Sequence, residues 1–498
     1  MKTLALFLFF ITSFFVRASR WLGFVQQKEY RFDRMILFLL SDEGKAELLR
    51  FFPKRSDFSR IGLKRPKVTG RILLVTAFFV FFSMLYITFS FNLTQVFLLG
   101  WYPYPLWYNV VALLLLATFY LLFLPFFVLL SAVPTALIAF IQTYKKLLQA
   151  RAVLQKSNAI IVGVTGSYGK TSLKFLLSSV LETTYSVFFT PKSYNTKYSV
   201  ANSIIEGYSD QQVAIIEYAA YKKGEIKTLA SWIRPQLAIL TGLTKQHLGL
   251  FGSLENIISA KAELVESLPP KAKVICNAYD PQTQLIHQNS QAKDRTQLVA
   301  VNSEYQKVVL THARLNKEGK LQFSWNQKVV QTKLLGMHYL ELVHVVIVAA
   351  LELKVSQEAI AHALESFIPN EKFIFSYTLG SGCRVIDDGQ TSNPKGFFAI
   401  IKLAQALHAQ KKVLITSGIV DLGADSSHTH LELAQQAKKV FTQVIYVGES
   451  GKKEFESVFG ELFLDTPEQF SQVYETLSDE DTLVVEGNIP SWVQAYLQ

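Results

Sequence analysis

Cysteine is almost missing from this chain: 498 residues hold two, Cys276 and Cys383, more than a hundred positions apart. Neither a disulfide framework nor a Cys-rich metal site can be built from them, so a reducing compartment is expected. Charge is missing too, but from one stretch only, since Ile72 to Tyr144 contains no Asp, Glu, Lys or Arg. The sequence shows no internal repeat and no low-complexity segment. Half of the residues are apolar and only 18% are charged, which excludes intrinsic disorder. The length suggests roughly three folded units.

What charge there is lies unevenly. The first 71 residues carry fifteen basic and six acidic side chains, a surplus of nine out of the net +11. Ile72–Phe91 is about the length of a membrane-crossing helix, and a second apolar run extends from Trp107 to at least residue 131. The aromatic, proline-containing segment between them, residues 100–108, has the composition of a membrane–water boundary. Leu4–Val16 is short; a signal-peptide core, an interfacial helix and a first span all fit it, and a span is expected. Basic residues at 17–71 and at Lys145, Lys146 and Arg151 place those flanks inside. The expectation is a multi-pass anchor in a bacterial inner membrane over residues 1–157, with everything after Tyr144 cytoplasmic. Residues 17–71 would lie as amphipathic helices against anionic membrane lipid. Nucleic acid is not an expected partner.

Beyond the anchor, Ala159–Val164 reads as a short buried strand. It leads into Thr165-Gly-Ser-Tyr-Gly-Lys-Thr-Ser172 and then a helical stretch. Strand, glycine loop and helix is the context of a phosphate-binding loop. Gly166, Ser167, Gly169 and Ser172 would present backbone and hydroxyl groups to phosphate oxygens, Lys170 would neutralise them, and Thr171 would help hold Mg²⁺. The glycine spacing departs from the strict Walker pattern, since Val164 stands where its first glycine belongs. Strands and helices alternate over 158–368 and again over 369–498. The fold expected is α/β: a transmembrane helical region, a central doubly wound P-loop ATPase domain, and a smaller Rossmann-like C-terminal domain. Asn316–Gly319 is expected to turn a hairpin.

The loop resembles that of the Mur ligases, the ATP-dependent amide-forming enzymes of peptidoglycan synthesis. Further matches follow in the family's order: Glu217 closing Val213-Ala-Ile-Ile, then His247, then Lys261 in Ala260-Lys-Ala-Glu263. Ile386-Asp-Asp-Gly-Gln-Thr-Ser-Asn-Pro394 resembles a segment of the family's C-terminal domain. The resemblance covers about residues 158–498. It implies transfer of the ATP γ-phosphoryl group to a carboxylate, followed by attack of an amine on the acyl phosphate. A cell-wall precursor peptide would supply the acid, and D-Ala-D-Ala or a similar amine would capture it. Thr171 and Glu217 would ligate one Mg²⁺; His247 and Lys261, the latter carbamylated, would serve a second. Lys170, Glu217, His247 and Lys261 form the implied catalytic set. Asn195, Thr196 and Asn393 would meet substrate, while Lys372 and Asp388 would reach the nucleotide from the C-terminal domain. His428 and His430 are expected as surface or helix-start residues, with no metal assigned to them.

Four departures stand beside these matches. The family's UDP-holding N-terminal domain has no counterpart, and the membrane region stands in its place. The adenine-side segment reads Gly336-Met-His-Tyr-Leu-Glu-Leu-Val, without the family's two asparagines. Lys372 replaces an arginine, losing its bidentate fork. Gln390 and Thr391 replace a Tyr-Asn pair. A ligase making another amide polymer, of poly-γ-glutamate type, and a non-catalytic nucleotide-binding membrane protein are the alternatives.

Overall fold

The computed structural model describes residues 2–50, 52–54, 57, 66–99, 106–244, 251–389, 393–420, 422 and 425–497. The chain divides into two compact units, Met1–Lys145 and Lys146–Gln498.

The first unit is helical. Its helices are α1 (Lys2–Gln27), α2 (Phe32–Leu40), α3 (Asp42–Leu48), α4 (Gly70–Leu99) and the start of α5 (Leu106–Gln155). Three stretches are long and apolar enough to cross a membrane: Leu8–Gln27, Gly70–Asn92 and Leu114–Gln155. On α4, Leu73, Phe81, Met84, Leu85 and Ile87 are exposed, as expected of a helix whose partner is hydrocarbon. Pro125 and Pro134 stand inside α5 without ending it.

Helix α1 contains the expected 4–16 and runs on to Gln27. Arg17 and Arg20, which bring charge into the helix, are buried rather than terminal. Arg17 donates to the backbone carbonyls of Leu48 and Arg50. Arg20 pairs with Glu47 and, at 2.7 Å, with Asp57, which also receives Arg50. With these partners the charges are tolerated inside the unit, and α1 continues past them to Gln27. Trp21, Phe24, Met35, Phe38, Ile72, Val75, Leu124 and Val128 form the surrounding core.

The second unit holds two six-stranded sheets. In the first, β1 (Ile160–Thr165), β2 (Val187–Phe189), β3 (Val213–Glu217), β4 (Leu237–Leu240), β5 (Lys273–Asn277) and β6 (Gln297–Val301) run parallel in the order β2-β3-β1-β4-β5-β6. β3 and β4 are buried throughout, the continuous apolar pattern of a sheet covered on both faces. The chain leaves β1 for one side of the sheet and returns to β4 on the other. This creates a crevice at the carboxyl end of β1, where doubly wound sheets take ligands.

A three-stranded antiparallel sheet follows, with β7 (Leu310–Leu315), β8 (Lys320–Trp325) and β9 (Lys328–Leu335); Asn316–Gly319 makes its first turn. The third sheet comprises β10 (Phe375–Thr378), β11 (Arg384–Asp388), β12 (Lys412–Thr416), β13 (Gln443–Tyr446), β14 (Phe463–Leu464) and β15 (Thr482–Glu486). Its order is β10-β11-β15-β12-β13-β14, parallel except for edge strand β10. Buried side chains from the first and third sheets and their helices, among them Leu173, Val346, Phe397 and Leu403, share one core. The fold is thus mixed α/β with long apolar helices at its N-terminal side.

His428 and His430 both stand in the first turns of the helix Ser426–Lys438, but they differ in burial. His428 is exposed and His430 is buried. Its Nε2 accepts from the Ile419 amide at 3.0 Å and its Nδ1 meets the Ser426 carbonyl at 2.7 Å, so the ring is spent on holding two backbone segments.

Candidate active site

At the carboxyl end of β1 the chain turns through residues 166–169 into α6 (Lys170–Leu181). Gly169 caps that helix at φ +75°, a left-handed conformation that favours glycine. The Lys170 ammonium curls under its own loop and donates to the carbonyls of Gly166 (2.9 Å) and Ser167 (3.3 Å). Desolvation pulls its pKa down, opposed by the charge of Glu217.

Glu217 ends β3, is 1% exposed, and gathers three donors. The Thr171 hydroxyl reaches Oε2 at 3.0 Å, Lys174 Nζ reaches the same oxygen at 3.1 Å, and Asn195 Nδ2 reaches Oε1 at 3.0 Å. Lys261 projects from the helix Leu254–Glu266, and its buried Nζ donates to the Gly166 carbonyl at 2.8 Å. Burial first, and the Lys170 charge second, hold its pKa well below the ordinary lysine value.

These residues line a cavity of about 360 Å³ together with Ser167, Ser172, Lys372 and Asn393. Lys170, Lys261 and Lys372 face it and Lys174 lies behind, against the single described carboxylate of the lining, Glu217. A pocket in which lysine nitrogens so outnumber carboxylates suits a polyanion. A second pocket of about 120 Å³ adjoins it, sharing Tyr168, Gly169, Ser172, Lys372 and Asn393 and adding His338, Tyr339 and Asp388. His338 Nδ1 is buried there without a partner, and burial pushes the ring's pKa down to about 4.

Among the expected residues, Gly166, Ser167, Gly169, Lys170, Thr171, Ser172, Asn195, Glu217, Lys261, Lys372 and Asn393 therefore come together around one cavity, with Asp388 in the adjoining pocket. Asn393 also caps the helix Pro394–Ala406, accepting from the Gly396 amide at 3.0 Å. Thr196 is different: its hydroxyl caps α7 (Lys197–Gly207) in a reciprocal box with Ser199 and does not line the cavity. His247, Gln390 and Thr391 lie outside the described residues.

Sequence reasoning pointed to Asp280, which follows the strand ending at Asn277, but missed Lys174, Tyr168, Glu341 and Lys395. For Lys174 a signal existed. It stands one helical turn beyond Lys170 and is flanked by Leu173, Phe175, Leu176 and Leu177, so its charge had to be buried or partnered, and it is both.

A hard-oxygen pair, the Thr171 hydroxyl and the Glu217 carboxylate 3.0 Å apart beside a phosphate-type loop, fits Mg²⁺, which takes one or two protein oxygens and completes its shell with phosphate and water.

Comparison with known proteins agrees with this geometry. Residues 164–350 match the family model of the Mur ligase middle domain. The UDP-N-acetylmuramoyl-tripeptide–D-alanyl-D-alanine ligase of Escherichia coli (strain K12) is 26% identical over 347 residues, 68% of this chain and 75% of the relative. The Bacillus subtilis (strain 168) ligase of that description is 24% identical over 349 residues, with the same coverage. The crystal structure of the MurF ligase from Thermotoga maritima in complex with ADP superposes with a TM-score of 0.62 at 22% identity, covering 71% of this chain and 82% of that one. Residues 164–350 thus carry a Mur ligase middle domain, and the chain is a homologue of the Mur ligases, which are ADP-forming ligases of C–N bonds.

Proposed function

We propose that this protein is a membrane-anchored amide ligase that joins D-Ala-D-Ala, or a similar amine, to a carboxylate of a cell-wall precursor peptide at the cytoplasmic face. The observation that carries the reading is the lysine-rich cavity around Glu217 and the loop 166–169. It offers several positive groups and one oxygen anchor at a helix N-terminus, the requirement for accepting a nucleoside triphosphate.

The substrate carboxylate attacks the γ-phosphorus, the bond to the β-phosphate oxygen breaks, and ADP leaves. The amine nitrogen then attacks the acyl carbon, phosphate departs with the C–O electron pair, and the nitrogen gives up its proton. Both steps concentrate negative charge on phosphoryl and carbonyl oxygens, so fixed positive groups lower their barriers. Lys170 is assigned to the β- and γ-phosphates, and Lys372 with Asp388 and Asn393 to nucleotide and substrate from the C-terminal sheet. Thr171 and Glu217 would hold Mg²⁺, which when bound supplies charge neutralisation at the phosphates. Asn195 and Lys174 orient Glu217. The depressed pKa of Lys261 favours the neutral amine, the form that reacts with CO₂ to give a carbamate, and this supports assigning it as the modified lysine. His247 is kept as the second-ion ligand on its place in the sequence.

The three apolar helices support an inner-membrane anchor in contact with lipid. Full-length protein in detergent, given ATP, UDP-muramoyl tripeptide and D-Ala-D-Ala, should release ADP and form the pentapeptide. Turnover only on another acid and amine would move the assignment to a different amide product. ATP binding with no amine-dependent ADP release from any pair would leave a nucleotide-binding protein.

A further inference from the structure

Tyr168 is the only aromatic residue of the phosphate loop, and its side chain does not point to solvent. Its ring lies against Gly242, where any Cβ would collide with it, so the residue following Thr241 has no room for a side chain. The hydroxyl donates to Asp280 Oδ2 at 3.2 Å, and that same oxygen accepts the Leu243 amide at 2.9 Å. From the opposite side Lys395, at the start of the helix Pro394–Ala406, donates to the Tyr168 hydroxyl at 2.6 Å and to Glu341 at 2.9 Å. Its ammonium also stands 4.7 Å from the centre of the Tyr168 ring. Burial and the neighbouring carboxylates Asp280 and Glu341 keep the phenol protonated by raising its pKa.

An exposed lysine–carboxylate pair is worth little. This one is different, because the lysine belongs to the third sheet's layer and its acceptors belong to the first sheet's. One cation thereby bonds to the phosphate loop itself and, through Tyr168 and Asp280, to the segment after β4 that flanks the loop.

We propose that Lys395 and Tyr168 are positioning residues. They form a bridge by which the C-terminal α/β layer fixes the shape of the phosphate loop, so that the loop is rigid only when that layer is seated. The proposal deepens the ligase reading, yet its decisive measurement needs neither substrate nor turnover.

The test is hydrogen exchange on nucleotide-free, full-length protein in detergent, read at the Ser167 and Leu243 amides, which bond to Gly242 and Asp280. Tyr168→Phe keeps the ring and loses only the hydroxyl; Lys395→Ala removes the cation. Each should speed exchange at these amides about tenfold, the yield expected from one charge-assisted hydrogen bond. The double variant should be no faster than the quicker single, Lys395→Arg should stay near wild type, and the core strands β12 and β13 should be unchanged. If Lys395→Ala loosens those strands as well, Tyr168→Phe decides alone. Loop exchange equal to wild type in Tyr168→Phe, or single effects that multiply in the double variant, overturns the bridge. With an active substrate pair, the singles should lower kcat more than they raise the ATP KM. A change confined to KM would make Lys395 a direct nucleotide contact instead. Absence of turnover in wild type would defeat the ligase reading and leave the exchange result standing.

Discussion

The two units bury charge in opposite ways. In the first, Arg20 and Arg50 meet Glu47 and Asp57 at close range, so the buried ions compensate one another. In the second, Lys170 and Lys174 stand by Glu217 and Lys261 joins Lys170 at the Gly166 carbonyl, and burial pulls the pKa of each lysine down. A balanced cluster is a fastening, because it gains nothing from a further ion. An unbalanced one carries a standing electrostatic cost that a bound polyanion would relieve, and such a cost marks function. Large apolar side chains invert the pattern: they are exposed along α4 and interior in the sheets.

Deleting charge from each cluster tests that contrast. Lys170→Ala should have the largest effect, removing ADP release below detection while the thermal transition stays near wild type, since the site loses a repulsive cation. Glu217→Gln keeps the shape and Asn195 contact but removes the anion. It should lower kcat by about a hundredfold or more in a steady-state ADP assay. The balanced cluster should answer in stability instead. Asp57→Ala strands Arg20 and Arg50 and should cost the first unit about 3–5 kcal/mol in detergent unfolding, with unchanged ATP affinity of the second unit. Comparable stability losses from Lys170→Ala and Asp57→Ala would erase the distinction.

The same contrast explains what could be read from sequence. The loop, Glu217 and Asn195 were legible because strand, loop and helix signals are local and these residues sit at element ends, whereas Lys261, in the middle of its helix, was reached only through the family resemblance. The three apolar stretches were legible from composition, and helix α1 contains the first of them and runs past it to Gln27. Arg17 and Arg20 look like the end of a span until Glu47 and Asp57 are known to meet them, and no local pattern announces that. The helix start at His428 and His430 was legible, but not that the His430 ring fastens Ile419 and Ser426 inside the fold. Lys395 and Tyr168 are 227 positions apart, and their bond exists only because two sheets stack.

His338 offers the smallest effect and the sharpest electrostatic check. Its Nδ1 is enclosed without a partner in the pocket beside the loop, and its folded pKa of about 4 lies below the ordinary histidine value of 6.5 because burial, and secondarily Lys395, disfavour the imidazolium. Between those two values the unfolded chain binds a proton that the folded chain refuses, so acidification favours unfolding. The stability owed to a neutral His338 is present in full above pH 6.5 and is lost as the pH falls toward 4. His338→Gln, which cannot titrate, should flatten that part of the wild-type melting-temperature profile by a few degrees while leaving values near pH 7.5 close together. The comparison needs no substrate. A nucleoside that takes up the buried nitrogen as a hydrogen-bond acceptor would oppose its protonation further, moving the acid limb of the wild-type profile to lower pH and leaving the variant's profile where it was.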